Sequence, residues 1–512
     1  MCPVQADSFQ VKATAMRRSP WATLAVLALA QFMVVLDVTI VNVALPDIQQ
    51  DLSFTPDNLQ WVISAYTLVF GGFLLLGGRA ADLLGRRRLF VGGLVLFAVA
   101  SLAGGLAQSQ EVLIAVRAVQ GLGGAMLSPA ALSILTVTFA HGRDRNIALG
   151  IWGGLAGLGG TLGVIAGGVL VDSAGWEWVF FVNVPIAAAL IAVTPRIIRE
   201  SRVESTDPSG RRTFDAAGAV LGTGGVLALI FGVIRAEPLG WGSAEVIGSL
   251  IASVVLLAAF IAVERNSVAP LVPMRLFRSR GLSTATGALA LNGAAFLAMF
   301  FLTAIFLQQV RGLSALETGL QFLPMGIAAI VAAVGVSQLV ARVGTRPVHL
   351  GGAVISVFGL WLLTHAGATG NYATDLLPGF LLFGAGIMGV AVPAQIAAVA
   401  DVEHDEAGAA SGVVTSGYQV GGALGLAIIT TLSTSRVGDL VASGMPAQQA
   451  LVEGFHRGLL IAAVFAGMNI VVRADLTAVG AGRGAVGRGG RRLIQPSDSN
   501  SLSGTLRAAD HP

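Results

Sequence analysis

Long apolar runs, interrupted by short stretches rich in arginine and glycine, fill the chain from residue 21 to residue 472. A helix needs about 20 apolar residues to cross a bilayer core of roughly 30 Å. Backbone groups find no water there, so runs of this length are read as helices whose hydrogen bonds close internally. Fourteen spans are predicted, at 21–43, 60–77, 89–106, 112–134, 147–171, 179–195, 216–234, 245–263, 282–307, 319–340, 348–364, 376–393, 409–432 and 458–472. The first, Trp21–Val43, is too long for a signal-peptide core and has no small-residue cleavage pattern after it, so it is expected to be retained. The last, Gly458–Val472, has only fifteen residues before Arg473 and Asp475, and is expected to be shortened, tilted or extended past Arg473.

Basic residues orient the spans. With the N-terminus in the cytosol, 26 of the 31 Lys and Arg residues fall on the inner side, against Arg235, Arg311, Arg436 and Arg457 outside. Arg117 remains, inside the fourth span. A miscounted helix would invert the alternation from that point onward. The expectation is therefore an even number of spans in a bacterial inner membrane, with both termini cytoplasmic. The inner loop Asp401–Glu406 is acidic and is expected to be solvated.

Composition agrees with this picture: 54% of the 512 residues are hydrophobic and 12% charged. Soluble domains carry roughly 25% charged residues, so most of this surface faces something other than water. The arginines alternate with apolar runs and form no single basic face, which argues against nucleic acid as a partner. Cys2 is the lone cysteine and the six histidines are scattered, so neither a disulfide nor a metal site is expected. No GxxxxGK[ST] segment occurs, so no nucleotide partner or ATP-driven pump is expected. No cofactor is implied, and the spans lack the paired catalytic residues of a membrane enzyme.

An internal repeat divides the chain. Leu84–Gly93 follows the second span and Val343–Gly352 the tenth; Gly85, Arg87, Gly92 and Gly93 align with Gly344, Arg346, Gly351 and Gly352 at a constant offset of 259. Both segments join the second and third helices of a six-helix block. The predicted fold is all-α and integral to the membrane: two six-helix bundles related by a pseudo-two-fold repeat, plus an inserted helix pair. The expected organisation is a cytosolic lead at 1–20, bundles at 21–198 and 271–473, the inserted pair at 199–270 and a disordered tail at 474–512. Parallel six-helix repeats around a midplane site are a common transporter design.

Four segments carry a family resemblance: LDVTIVNVALP at Leu36–Pro46, GRAADLLGRRR at Gly78–Arg88, RAVQGLGGAMLSPA at Arg117–Ala130 and GLGGTLGVIAGG at Gly157–Gly168. Together they resemble the major facilitator superfamily, specifically its fourteen-helix drug:proton antiporter branch. The resemblance implies a secondary transporter, not an enzyme, that exports hydrophobic drugs or antibiotics in exchange for protons; because one chain already contains both halves needed for alternating access, it is expected to work as a monomer. It also implies a conformational latch at Gly78, Asp82, Gly85 and Arg86, where Asp82 can pair with Arg86 or with a helix N-terminus. In the helix-5 motif, Gly159, Gly163, Gly167 and Gly168 are implied to let helices pack closely. Val164 stands where that motif has proline, Glu177 where arginine is usual, and Tyr418 where arginine is more common. The alternative reading, a proton-coupled importer or symporter of a small metabolite, draws on Val164.

Charges inside spans cost about 2.5–3.5 kcal/mol on insertion scales, so each needs a reason. Asp37 lies six residues from the outer end of the first span and Arg117 six residues from that of the fourth, each roughly 9 Å deep. The two are expected to face one central cavity as a protonation-dependent pair, with Gln120 and Asn42 nearby; the competing reading is a purely structural pair. Asn292, Gln308, Gln309, Gln395 and Gln419 are further polar residues in or near spans, fit either for the cavity or for helix–helix bonds. Met299, Phe300 and Phe301 are candidates for an adaptable apolar surface.

Overall fold

A computed structural model describes residues 19–139, 142–201, 215–267, 270–400, 402 and 406–472. The lead, most of the loop after the sixth span and the tail from Arg473 lie outside the described residues.

Among the described residues there are fourteen long helices, thirteen of them long and apolar enough to cross a membrane, and no strand. They are α1 Pro20–Asp51, α2 Trp61–Leu84, α3 Arg86–Gly105, α4 Gln110–Thr138, α5 Arg143–Ala174 and α6 Trp178–Ile197. Then come α7 Ala216–Leu239 and α8 Ala244–Asn266. The second set is α9 Arg280–Val310, α10 Ala315–Val343, α11 Thr345–Leu363, α12 Tyr372–Ala398, α13 Ala407–Ala442 and α14 Ala447–Val471. Several starts are written in the sequence. Ser109, Ser243 and Ser279 accept the free amide three residues on, and Ser314 with Glu317 forms a reciprocal capping box at α10. The repeat reappears as geometry: Gly85 ends α2 at φ 107° and Gly344 ends α10 at φ 88°, a left-handed turn that glycine adopts without a Cβ clash.

The first bundle is α1–α6 and the second α9–α14. Within them, α4 packs on α2 and α3, α5 on α1, α12 on α10 and α11, and α13 on α9. The bundles meet where α5 lies along α10 and α2 along α13. The inserted pair covers the second of these seams. Ile230 and Leu227 of α7 lie over Gly71 and Gly72 of α2, and Trp241 donates to Thr431 Oγ1 of α13 at 3.0 Å. α8 packs on α7 at the periphery, with only 17% of its apolar window buried.

Three expectations need correction. α14 gains its length upstream, beginning at Ala447. Its polar first turns are tolerated because Gln448 donates to the Val310 carbonyl at 3.0 Å and a His456 ring nitrogen lies 2.9 Å from the Ala366 carbonyl. α1 does not end near Val43 but runs through Pro46 to Asp51, so Asp37 is farther from the helix end than span length implied. Glu406 is not a solvated loop residue: it is buried and paired with Arg275 at 2.7 Å, at the start of α13.

Candidate functional site: a buried ion pair beside an inter-bundle cavity

Asp37 and Arg117 are 0% and 1% exposed, and an Arg117 Nη1 to Asp37 Oδ2 contact of 2.7 Å joins them. A buried pair repays its desolvation only when its other lone pairs and protons are also bonded. Here they are. Arg117 Nε donates to the Val62 carbonyl at 2.9 Å and its Nη1 to Gln120 Oε1 at 2.6 Å. Asp37 Oδ1 accepts from Gln120 Nε2 at 2.7 Å and from Asn183 Nδ2 at 2.8 Å. Ser101 Oγ accepts from the same Gln120 nitrogen at 2.7 Å. The guanidinium also lies 4.5 Å from the ring centre of Tyr66 and 5.9 Å from that of Phe180. The network draws on α1, α2, α3, α4 and α6, five of the six helices of the first bundle.

Asn183, Ser101 and Tyr66 escaped the sequence reading. Asn183 sits inside WEWVFFVNVP, Trp176–Pro185, a segment notable for other positions. It opens the second half of α6, and that placement is the signal that could have found it. Asn42 is not brought to the pair. It is exposed, and its side-chain amide donates to Val38 O of its own helix at 2.9 Å.

A cavity of about 280 Å³ lies between the bundles, lined from α1, α2, α4 and α5 on one side and α9, α10, α12 and α13 on the other. Asp37 and Arg117 do not line it, so the expectation that they face it is corrected: Asp37 turns inward, toward Arg117 and Gln120 of α4 and Asn183 of α6. Among the described residues no Asp, Glu, Lys, Arg or His lines it either. Its polar groups are neutral, among them Gln31, Asn292, Gln395 and Gln419. Of the aromatic candidates, Phe300 reaches the wall and stacks on Phe322 at 4.5 Å. Met299 is buried away from it and Phe301 is 38% exposed. Gln308 and Gln309 are exposed at the end of α9.

The latch residues bridge the bundles at the arginine-rich end. Asp82 Oδ1 accepts from Arg86 Nε at 3.2 Å and from the Gly408 amide at 3.1 Å, and Oδ2 accepts from the Ala409 amide at 3.0 Å. Gly408 and Ala409 lie in the first turn of α13, whose amides have no partner inside the helix. Asp82 therefore caps a helix of the opposite bundle while Arg86 holds its charge, both fully buried. Gly78 makes room for this approach, because a Cβ there would overlap the Gly408 carbonyl.

α5 stands between α1 and α10. Gly159, Gly163 and Gly167 face Val35, Thr39 and Ile40 to Val43 of α1, and a Cβ at Gly163 would overlap the Thr39 hydroxyl. Thr39 Oγ1 donates to the Gly159 carbonyl at 3.3 Å. Gly168 and Val164 face α10 instead, Val164 filling the space above Gly319. No proline interrupts α5 between Arg143 and Ala174.

The family model of the Major Facilitator Superfamily matches residues 27–426. The chain is 38% identical over 450 residues to a puromycin resistance protein of Streptomyces alboniger, covering 87% of this chain and 88% of that one. It is 39% identical over 425 residues to a cephamycin export protein of Amycolatopsis lactamdurans, covering 82% and 85%. The fold is similar to that of the human organic anion transporter MFSD10, with a TM-score of 0.62 at 16% identity over 89% of this chain and 99% of that one. With the family model matching residues 27–426 and the Amycolatopsis relative 39% identical over 82% of the chain, the chain belongs to the Major Facilitator Superfamily and is a multi-pass membrane transporter, not an enzyme.

Proposed function

We propose that this transporter exports hydrophobic drugs or antibiotics across the bacterial cytoplasmic membrane in exchange for protons, by alternating access and as a monomer. The observation that carries the reading is an uncharged, partly aromatic cavity between the bundles, walled on one side by a helix bundle whose core holds a carboxylate–guanidinium pair. Pockets of this kind bind through apolar contact and a few oriented polar groups. Relatives described as resistance and export proteins support the substrate class. The neutral lining favours uncharged or weakly charged aromatic compounds over dications.

Asp37 is the proton carrier in this reading. Protonation discharges it and releases Arg117, and a proton moved through about 100 mV supplies about 2.3 kcal/mol to bias the access equilibrium. Gly78, Asp82, Gly85 and Arg86 form the latch that holds the arginine-rich, cytoplasmic end closed; Gly159, Gly163, Gly167 and Gly168 form the sliding face of α5. A single chain contains both bundles, which supports function without a partner copy. Both termini are then cytoplasmic.

The test is directional. Cells expressing the chain should accumulate less N-phenylnaphthylamine, a neutral fluorescent aromatic, than cells without it, and an uncoupler should abolish the difference. Greater accumulation that the uncoupler abolishes would instead favour the import reading.

A further inference from the structure

Asp37 is sealed from the cavity, yet one side chain touches both the cavity and its ion pair. Tyr66 lines the cavity, and the Arg117 guanidinium lies 4.5 Å from its ring centre. The ring stacks on Phe70, another lining residue, with centroids 5.7 Å apart. Its hydroxyl is buried without a hydrogen-bond partner and sits over Gly124 of α4, where a Cβ would lie 3.1 Å from it. Arg117 and Phe70 both pack on the ring, which also borders the cavity. An aromatic face attracts a cation resting on it, the more so where water is excluded.

We propose that Tyr66 is the positioning residue through which a solute in the cavity and a proton on Asp37 sense each other. The inference rests on the export reading and deepens it by naming the residue between its two sites. Arg117 is shared between the Asp37 carboxylate and the Tyr66 ring. A planar, uncharged solute packing on Tyr66 shifts the ring against the guanidinium, and so alters how Arg117 pairs with Asp37. Protonation works in reverse: without the carboxylate's charge, the guanidinium is left to the ring and repositions it against the cavity. Exchange requires the two to be antagonistic, with solute favouring the charged pair and the proton favouring the empty cavity. The groups facing Asp37 leave few other routes. Arg117 and the neutral Gln120 come from α4, Tyr66 from α2 and the neutral Asn183 from α6, while Ser101 of α3 bonds Gln120 and Asn183 behind them. Gly159, Gly160, Gly163 and Gly167 of α5, which carry no ionisable group, lie against α1 near this level.

Thermodynamic linkage makes the coupling measurable as a pH-dependent affinity, typically about 5- to 150-fold between coupled sites. The purified full-length chain is titrated with N-phenylnaphthylamine at about pH 6 and about pH 8, where the wild type should bind at least about fivefold more tightly at the higher pH. Tyr66→Phe keeps the ring and should keep this ratio. Tyr66→Leu should bind more weakly at both pH values with a ratio below about twofold. Tyr66→Met, which fills the space without a ring, serves where the leucine variant fails to fold. A ringless variant with the wild-type ratio, or a Tyr66→Phe variant without it, overturns the role of Tyr66. A distinct set of results overturns the reading beneath it: a wild type that does not bind the probe, a wild type whose binding ignores pH, or Asp37→Asn with an unchanged ratio.

Discussion

In the first bundle, α1 carries Asp37 into a network built from five helices; 259 residues further on, α9 of the second bundle carries Phe296, which lines the cavity. The same offset takes Asp82 of the latch to Ala341. Both halves keep the glycine turn between their second and third helices, at Gly85 and Gly344. The backbone design was duplicated, then, while the ionisable machinery stayed in one half. The other half supplies stacked aromatics, Phe296, Phe300 and Phe322, with centroids 6.2 and 4.5 Å apart. Such a division suits an exchanger. Charge can be gained or lost in one bundle without exposing ions to an apolar solute, provided the bundles move relative to each other.

Removing Arg117 strains this division most. Arg117→Ala leaves Asp37 buried without its counter-charge, which should cost about 3–5 kcal/mol. Thermal unfolding of the detergent-solubilised chain reads this as a large drop in Tm. The double variant Asp37→Asn/Arg117→Gln should recover most of it, and a double variant as unstable as the single would contradict the pairing.

The latch should matter less to stability and more to motion. Asp82→Ala combined with Arg86→Gln removes the cap from α13 and the Arg86 charge together, a loss of about 0.5–2 kcal/mol. Hydrogen exchange at the Gly408 and Ala409 amides should quicken by about tenfold, with the amides around Asp37 unchanged. Equal quickening in both regions would mean that Asp82 supports the first bundle generally.

A third change tests the contact that ties α5 to the pair's own helix. Gly163→Val forces a side chain onto Thr39 and should destabilise by about 1–3 kcal/mol, with Thr39→Ala restoring part of the loss in the same Tm assay. The smallest effect belongs to Asn42→Ala: within about 0.5 kcal/mol and without change in probe efflux, since its amide bonds only its own helix.

Much of this was legible in the chain, for identifiable reasons. Apolar runs announce membrane helices because lipid leaves the backbone no alternative. Asp37 and Arg117 announce themselves because a charge in a span is costly. Their orientation was not legible. Which way Asp37 points follows from how α1 rotates against α4 and α6, which hydropathy does not encode, so a cavity-facing pair and a bundle-core pair read alike. Ser101, Asn183 and Tyr66 were silent because neutral polar groups insert at little cost and turn up in spans for many reasons. The start of α14 was hidden because Gln448 and His456 read as loop residues until their carbonyl partners on Val310 and Ala366 are known. Glu406 misled in the same way, its pairing with Arg275 spanning 131 residues.

Reconstituted vesicles show whether proton exchange runs through Asp37. With an imposed pH gradient, wild-type protein should move N-phenylnaphthylamine against its concentration gradient while protons flow the other way, and Asp37→Asn should carry neither flux above protein-free vesicles. Undiminished probe-driven proton movement in Asp37→Asn would contradict the account.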